Sequence, residues 1–206
     1  MDQLGTPRSA ISFNSLLSAC NQSRQFDKVP QLFDEIPKKY GGVSPNKVSY
    51  GILIKSYCEA GHPEKGIEVL REIGRKSEEV TAVAFTTILN ALYNKGKEEE
   101  AEKLWSEMMK NGCELDVASN NVRIMNFQGG EPEKVKELID DMSSMGLKPD
   151  TISYNYLMTC YCKNGMLDEA KKVYEGLEGN GCNPNAASFR ILVFYLCLNG
   201  LYEQRL

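Results

Sequence analysis

The chain has one histidine, one tryptophan and no Cys-x-x-Cys pair among its 206 residues. His62 stands in a turn before Pro63, so a histidine-based catalytic set or metal site would need partners that the sequence does not offer, and the residue is read as a surface group. No His-x-Glu accompanied by Cys-x-x-Cys is present, since His62-Pro63-Glu64 has no such cysteine pair to complete it, which removes zinc-deaminase chemistry. Phosphate-cradling glycine loops are missing too, since Gly129-Gly130 belongs to a helix turn. No catalytic residue, metal ligand, cofactor or small-molecule substrate is therefore assigned. No apolar run approaches the ~18 residues that span a bilayer, so no membrane segment is expected. Positive charge is not in excess either. With 24 basic against 28 acidic side chains the net charge is -4, which argues against holding nucleic acid mainly through phosphate attraction, although a local basic stripe remains compatible. Met1-Asp2-Gln3-Leu4 has neither the apolar core of a secretory signal nor an Arg/Ser-rich amphipathic pattern, so a cytosolic location or a missing targeting segment is expected. Cys58, Cys162 and Cys197 occupy one register of a chain with seven cysteines, which reads as packing in a reducing compartment.

What is present is a period. Gly61, Gly96, Gly130, Gly165 and Gly200 lie 35, 34, 35 and 35 residues apart. Such a period marks stacked two-helix units that bury apolar surface only against neighbours, and function belongs at positions that repeat. After an N-terminal extension, 1–9, the units are 10–46, 47–81, 82–116, 117–150 and 151–185, with a partial unit, 186–206, in one array over 10–206. Leu206 falls early in a second helix, so repeats are expected to continue beyond it.

Each unit holds two amphipathic helices. The first is expected to begin with serine at its N-cap (Ser12, Ser49, Ser119, Ser153, Ser188), usually followed by an aromatic. Apolar residues then recur at helical spacing, as in Phe13, Leu16, Leu17, Cys20 and Phe85, Ile88, Leu89, Leu92. The periodic glycine ends this helix, and Pro63 and Pro132 follow two residues later at a first-helical position. The second helix is striped by residues such as Ala101, Leu104, Trp105 and Met108. Glu98-Glu99-Glu100 in its first turn suits the helix dipole. Gly112, Gly146 and Gly181 mark the closing loops.

The stretches SYNYLMTCYCKNGMLDEAKKVYEGLEGNGCNPN at 153–185 and AFTTILNALYNKGKEEEAEKLWSEMMKNGCELD at 84–116 resemble the pentatricopeptide repeat unit. Tetratricopeptide arrays differ, expecting Trp and Leu-Gly early in the first helix. The resemblance covers 10–206 and implies an all-α, right-handed α-solenoid whose first helices bind single-stranded RNA at about one base per repeat. It places base-edge contacts at Asn14 with Asn46, Gly51 with Thr81, Thr86 with Asp116, Asn121 with Asp150, and Asn155 with Asn185. Base-face packing falls to Ile11, Val48, Val83 and Ile152, with Ala118 and Ala187 in the same register, and backbone contact to Lys95 and Lys163. The site so implied reads pyrimidine, any base, G, U, pyrimidine.

Several positions depart from the pattern. Gly51 has no side chain to read with, Arg190 stands at a reading position, Asn120 replaces the fourth aromatic, and Glu59 fills the place of a basic residue. The fourth unit is one residue short in its first helix, and the first has two extra residues around Lys39-Tyr40-Gly41-Gly42. Each Asn, Thr or Asp at a reading position has an alternative as a cap or turn former. Trp105 and the tyrosine stripes read as core. Two functions stay open: a non-catalytic RNA-binding protein of a plant organelle, the mitochondrion before the chloroplast, or a mitochondrial ribosome subunit docking on rRNA and ribosomal proteins. A pure protein-interaction scaffold accounts less well for the reading pairs.

Overall fold

A computed structural model describes residues 9–40, 43–75, 82–110, 112–113 and 116–199. The described residues form eleven helices and no strand. They are α1 (Ala10–Gln22), α2 (Lys28–Lys39), α3 (Lys47–Glu59), α4 (Pro63–Arg75), α5 (Ala82–Asn94), α6 (Glu98–Lys110), α7 (Val117–Phe127), α8 (Pro132–Ser144), α9 (Thr151–Lys163), α10 (Leu167–Gly176) and α11 (Ala186–Leu198). Odd-numbered helices are the first helices of the repeats and even-numbered ones the second. The chain divides into two compact units, 1–114 and 115–206. Within the first, α1, α3 and α5 pack side by side, each also against its own second helix; within the second, α7, α9 and α11 pack side by side, α7 also against α8 and α9 against α10. The result is an all-α helical repeat solenoid.

The N-caps of these first helices lie three residues before the expected serines. Their N-caps are Ser9, Asn46, Asp116, Asp150 and Asn185, each accepting from the backbone N–H of the serine three residues on. Ser12, Ser49, Ser153 and Ser188 return a bond by accepting the N–H of the cap residue. The serine is thus the third helical residue of a reciprocal capping box. Its expectation as N-cap is corrected: the residue three before it has the extended backbone of a cap, φ between -100 and -136, so the serine already lies inside the first turn.

The periodic glycines adopt the left-handed conformation at Gly61, Gly96 and Gly165, as do the loop glycines Gly112, Gly146 and Gly181. Gly130 does not, because α7 is short and its turn is built differently. In the first repeat Arg24 takes the equivalent place at φ 56. Pro63 and Pro132 open α4 and α8, as a residue without a free N–H can at a position where that N–H has no intrahelical acceptor.

The stripes meet in two cores. In the first unit Leu17, Ile54, Phe85, Ile88, Leu89 and Leu92 are fully enclosed, and Trp105 packs on Phe85 with ring centroids 5.9 Å apart. In the second, Ile124, Met142, Met158, Ala170 and Leu192 do the same work. Tyr50, Tyr93 and Tyr161 are buried, while Tyr57, Tyr154 and Tyr174 are half-buried. Polar bonds tie α3 to the preceding repeat: Asn21 Nδ2 in α1 donates to the Ile52 carbonyl at 3.1 Å, and Ser56 Oγ donates to the carbonyl of Phe26, in the turn between α1 and α2, at 2.9 Å. No described helix is long and apolar enough to cross a membrane.

Candidate functional site

The second residue of a first helix cannot face the core if the fourth does, because two steps of 100° turn it away. Ile11, Val48, Val83 and Ile152 therefore stand out into solvent, 78, 56, 73 and 48% exposed, while Phe13, Tyr50 and Phe85 two residues on are buried and Tyr154 is half-buried. In the first unit Ile11, Val48 and Val83 thus repeat as exposed β-branched residues that its fold does not use, and in the second unit Ile152 holds the same register. Ala118 is exposed and Ala187 half-buried in that register, so this surface is thinner in the second unit.

One residue beyond the aromatic position, two of the five predicted base-edge pairs come together. Asn14 Nδ2 donates to Asn46 Oδ1 at 3.2 Å, and Asn121 Nδ2 donates to Asp150 Oδ1 at 3.1 Å. Each pair includes the cap of the following first helix, so capping and side-by-side placement are one arrangement. The serines enter it as well. Ser49 Oγ donates to Asn14 Oδ1 and Ser153 Oγ to Asn121 Oδ1, both at 2.6 Å. These hydroxyls are the part of the site that reading each serine as a lone N-cap missed; the Asn/Asp-x-x-Ser spacing was the available signal.

The remaining positions differ. Asn155 is buried with its Oδ1 unpartnered, and no bond joins it to Asn185, whose Oδ1 accepts from Ala187 N, Ser188 N and Ser188 Oγ. Thr86 Oγ1 donates back to the Ala82 carbonyl at 2.7 Å. Asp116 caps α7 and receives Ser119 N and Oγ at 2.8 and 2.7 Å. Gly51 has open space around the place of a Cβ, and its expected partner Thr81 lies outside the described residues. Asn120 is buried, its Nδ2 spent on the Asp116 carbonyl, and Arg190 is exposed.

The two lysines are not equivalent. Lys163 is exposed in the last turn of α9 with no hydrogen bond or ion pair among the described residues. Lys95 Nζ instead donates to the Gly61 carbonyl at the end of the preceding first helix. His62 pairs with Glu64 at 3.1 Å on the surface. Burial pushes the Cys58 thiol up to about 12, with Glu59 and Glu64 adding to it, and the Cys162 thiol up to about 11. Thiols so protonated at neutral pH are poor nucleophiles and metal ligands. Cys197, in the same register, is exposed.

The PPR repeat family model matches residues 8–59, 80–126 and 149–198, and a second PPR repeat model matches 48–77. The chain is similar to the small ribosomal subunit protein mL103 (rPPR7) of Arabidopsis thaliana, 69% identical over 170 residues, which cover 82% of this chain and 41% of that protein. It is similar also to a mitochondrial pentatricopeptide repeat-containing protein of the same plant, 60% identical with the same coverage. It thus spans about two fifths of the length of both relatives. Among solved structures, that of the pentatricopeptide repeat protein PPR10 in complex with an 18-nt psaJ RNA element has a TM-score of 0.67 at 24% identity, over 96% of this chain and 30% of that one. The nuclear proteinaceous RNase P 2 of A. thaliana has a TM-score of 0.62 at 14% identity, over 91% of this chain and 42% of that one. These last two likenesses concern the fold.

Proposed function

The chain belongs to the pentatricopeptide repeat family, and on that premise we propose that its first helices bind single-stranded RNA in the mitochondrion, about one base per repeat, as recognition without catalysis. The observation that carries this reading is the joining of Asn14 to Asn46 and of Asn121 to Asp150, in each unit together with exposed branched residues two positions into the first helices. Ile11, Val48, Val83 and Ile152 offer apolar faces against which unstacked bases pack. The polar pairs, set one step further along the helices, offer hydrogen bonds to base edges.

Donor and acceptor counts indicate which bases suit them. In Asn121/Asp150, Asp150 Oδ1 already accepts from Asn121 Nδ2 and Ser153 N, which leaves one Nδ2 hydrogen of Asn121 and the second carboxylate oxygen of Asp150. One donor beside one acceptor complements a base edge carrying C=O next to N–H, as uracil does. In Asn14/Asn46, Asn46 Oδ1 is likewise filled and amide hydrogens remain, two donors that suit the adjacent acceptors of cytosine. Thr86 with Asp116 is assigned guanine on the family pattern, and Gly51 no preference. Lys163 is placed to meet phosphate, and Lys95 reaches it only by releasing the Gly61 carbonyl.

A second reading, a subunit of the mitochondrial ribosome docking on rRNA and ribosomal proteins, is favoured by the small-subunit name of the 69% identical relative. Fluorescence anisotropy of the chain with an RNA carrying pyrimidine-N-G-U-pyrimidine and with a scrambled control, over a salt series, separates the two. Preference for the designed RNA that is lost in Asn121→Ala supports base reading. Equal weak binding that vanishes at moderate salt, with the tagged full-length protein sedimenting with ribosomes, supports docking.

A further inference from the structure

We propose that Ser49 and Ser153 are positioning residues that fix which edge of Asn14 and Asn121 faces the RNA, so that base preference in the first and fourth repeats depends on a hydroxyl that need not touch the base. The inference rests on the base-reading function above. An asparagine amide has two orientations, related by a half turn, that exchange its donor and acceptor ends. Something must select one if the residue is to discriminate bases. Ser153 Oγ accepts the backbone N–H of Asp150 at 3.2 Å, which leaves its single proton to donate. Asn121 Oδ1 lies 2.6 Å away, within the normal O–H···O range, whereas Asp150 Oδ1 lies at 3.1 Å and is already filled by Ser153 N and Asn121 Nδ2. The proton therefore goes to Asn121. With Oδ1 held there, Nδ2 must face the Asp150 carboxylate; the half-turned amide would set N–H against O–H and oxygen against a carboxylate oxygen. Ser49 does the same to Asn14, accepting the Asn46 N–H at 3.0 Å and donating at 2.6 Å.

The fifth repeat supplies an internal contrast. Ser188 closes the same capping box on Asn185, yet no bond joins it to Asn155, whose Oδ1 is buried without a partner. Capping and amide selection are thus separable within one chain, and Asn155 lacks the hydroxyl that pins the other two.

The test measures anisotropy for RNAs that vary only in the base facing the fourth repeat. Ser153→Ala is expected to reduce the preference for uracil roughly fivefold, the worth of one hydrogen bond, with a smaller change in overall affinity. Ser153→Thr, which keeps the hydroxyl, restores the preference. Ser188→Ala, which removes the equivalent cap contact without touching Asn155, leaves it unchanged at this register. If Ser153→Ala does not fold, Ser49→Ala is read at the base facing the first repeat. Retained preference in Ser153→Ala together with lost preference in Asn121→Ala overturns the positioning role and leaves base reading standing. Should Asn121→Ala itself keep the preference, base reading and the positioning role fail together.

Discussion

Replacing Asp150 by alanine removes two bonds from one oxygen, that of Ser153 N at 2.9 Å and that of Asn121 Nδ2 at 3.1 Å. The lost N-cap costs about 1 kcal/mol, and the lost bond from Asn121, to a charged acceptor, about 1.5 kcal/mol more. For a chain of this length, about 2.5 kcal/mol lowers the melting temperature by roughly 5–10 °C. Asp150→Asn should behave differently, because Asn46 and Asn185 already cap α3 and α11 with an amide oxygen; a change within about 0.5 kcal/mol is expected. Circular-dichroism melts of the two variants measure the stability effect. The same Asp150→Asn protein, tested against RNAs differing at the fourth-repeat base, should shift its preference from uracil toward cytosine, since a free carboxylate oxygen has become an N–H donor. If the alanine variant melts within about 1 °C of the parent, or asparagine costs as much as alanine, the assignment of Asp150 as both cap and partner of Asn121 is wrong.

Gly66→Ala in α4 should raise stability by about 1 kcal/mol in urea unfolding, because the new methyl would meet Ile88 Cγ1 at 3.4 Å and Cys58 Sγ at 3.5 Å, ordinary contact distances, in a helix that gains from losing glycine. A destabilised variant would instead show that the α3–α5 packing cannot yield even slightly. Arg24→Gly relieves a left-handed backbone at φ 56 and should add about 0.5–1 kcal/mol by the same assay, whereas a loss would mean that the arginine side chain contributes more than its backbone costs. Arg71 holds the Glu107 carboxyl below the usual carboxylate range through hydrogen bonds of 3.1 and 2.7 Å between α4 and α6. This depressed value contributes stability above the ordinary carboxylate pKa, and the contribution disappears as pH falls through the folded value. Since the pair is well exposed, Glu107→Gln should cost only about 0.5 kcal/mol at pH 7 and nothing near pH 2, measured by urea midpoints.

The helix pairs and their turns were legible because glycine spacing and the stripes answer to local geometry alone. Where they misled, local chemistry had two solutions. Asn, Asp or Ser at the cap and Ser three residues on can each satisfy the first turn, and a pattern of residue types does not say which one starts the helix; the structure shows that both take part. The first repeat hid its turn because Arg24 occupies a place that glycine fills in Gly61, Gly96 and Gly165. In the fourth, Asn120 and the buried Arg123 stand where other first helices carry aromatic and aliphatic residues, so periodicity gave least where the helix is shortest. The reading positions could be placed through resemblance, but the serine bonds that lock two of them and leave Asn155 open depend on distances of a few tenths of an ångström.

A residue that both ends one repeat and starts the helix of the next has a restricted vocabulary. At Asn46, Asp116, Asp150 and Asn185 only side chains short enough to reach back to a backbone N–H cap the next helix, so the letters from which the proposed recognition surface is spelled are those that backbone hydrogen bonding already favours. If the proposed reading holds, rewriting this surface for another RNA means working with a small alphabet of Asn, Asp, Ser and Thr at the described repeat junctions. Wider choice lies at the inner partner, as the open space around Gly51 shows.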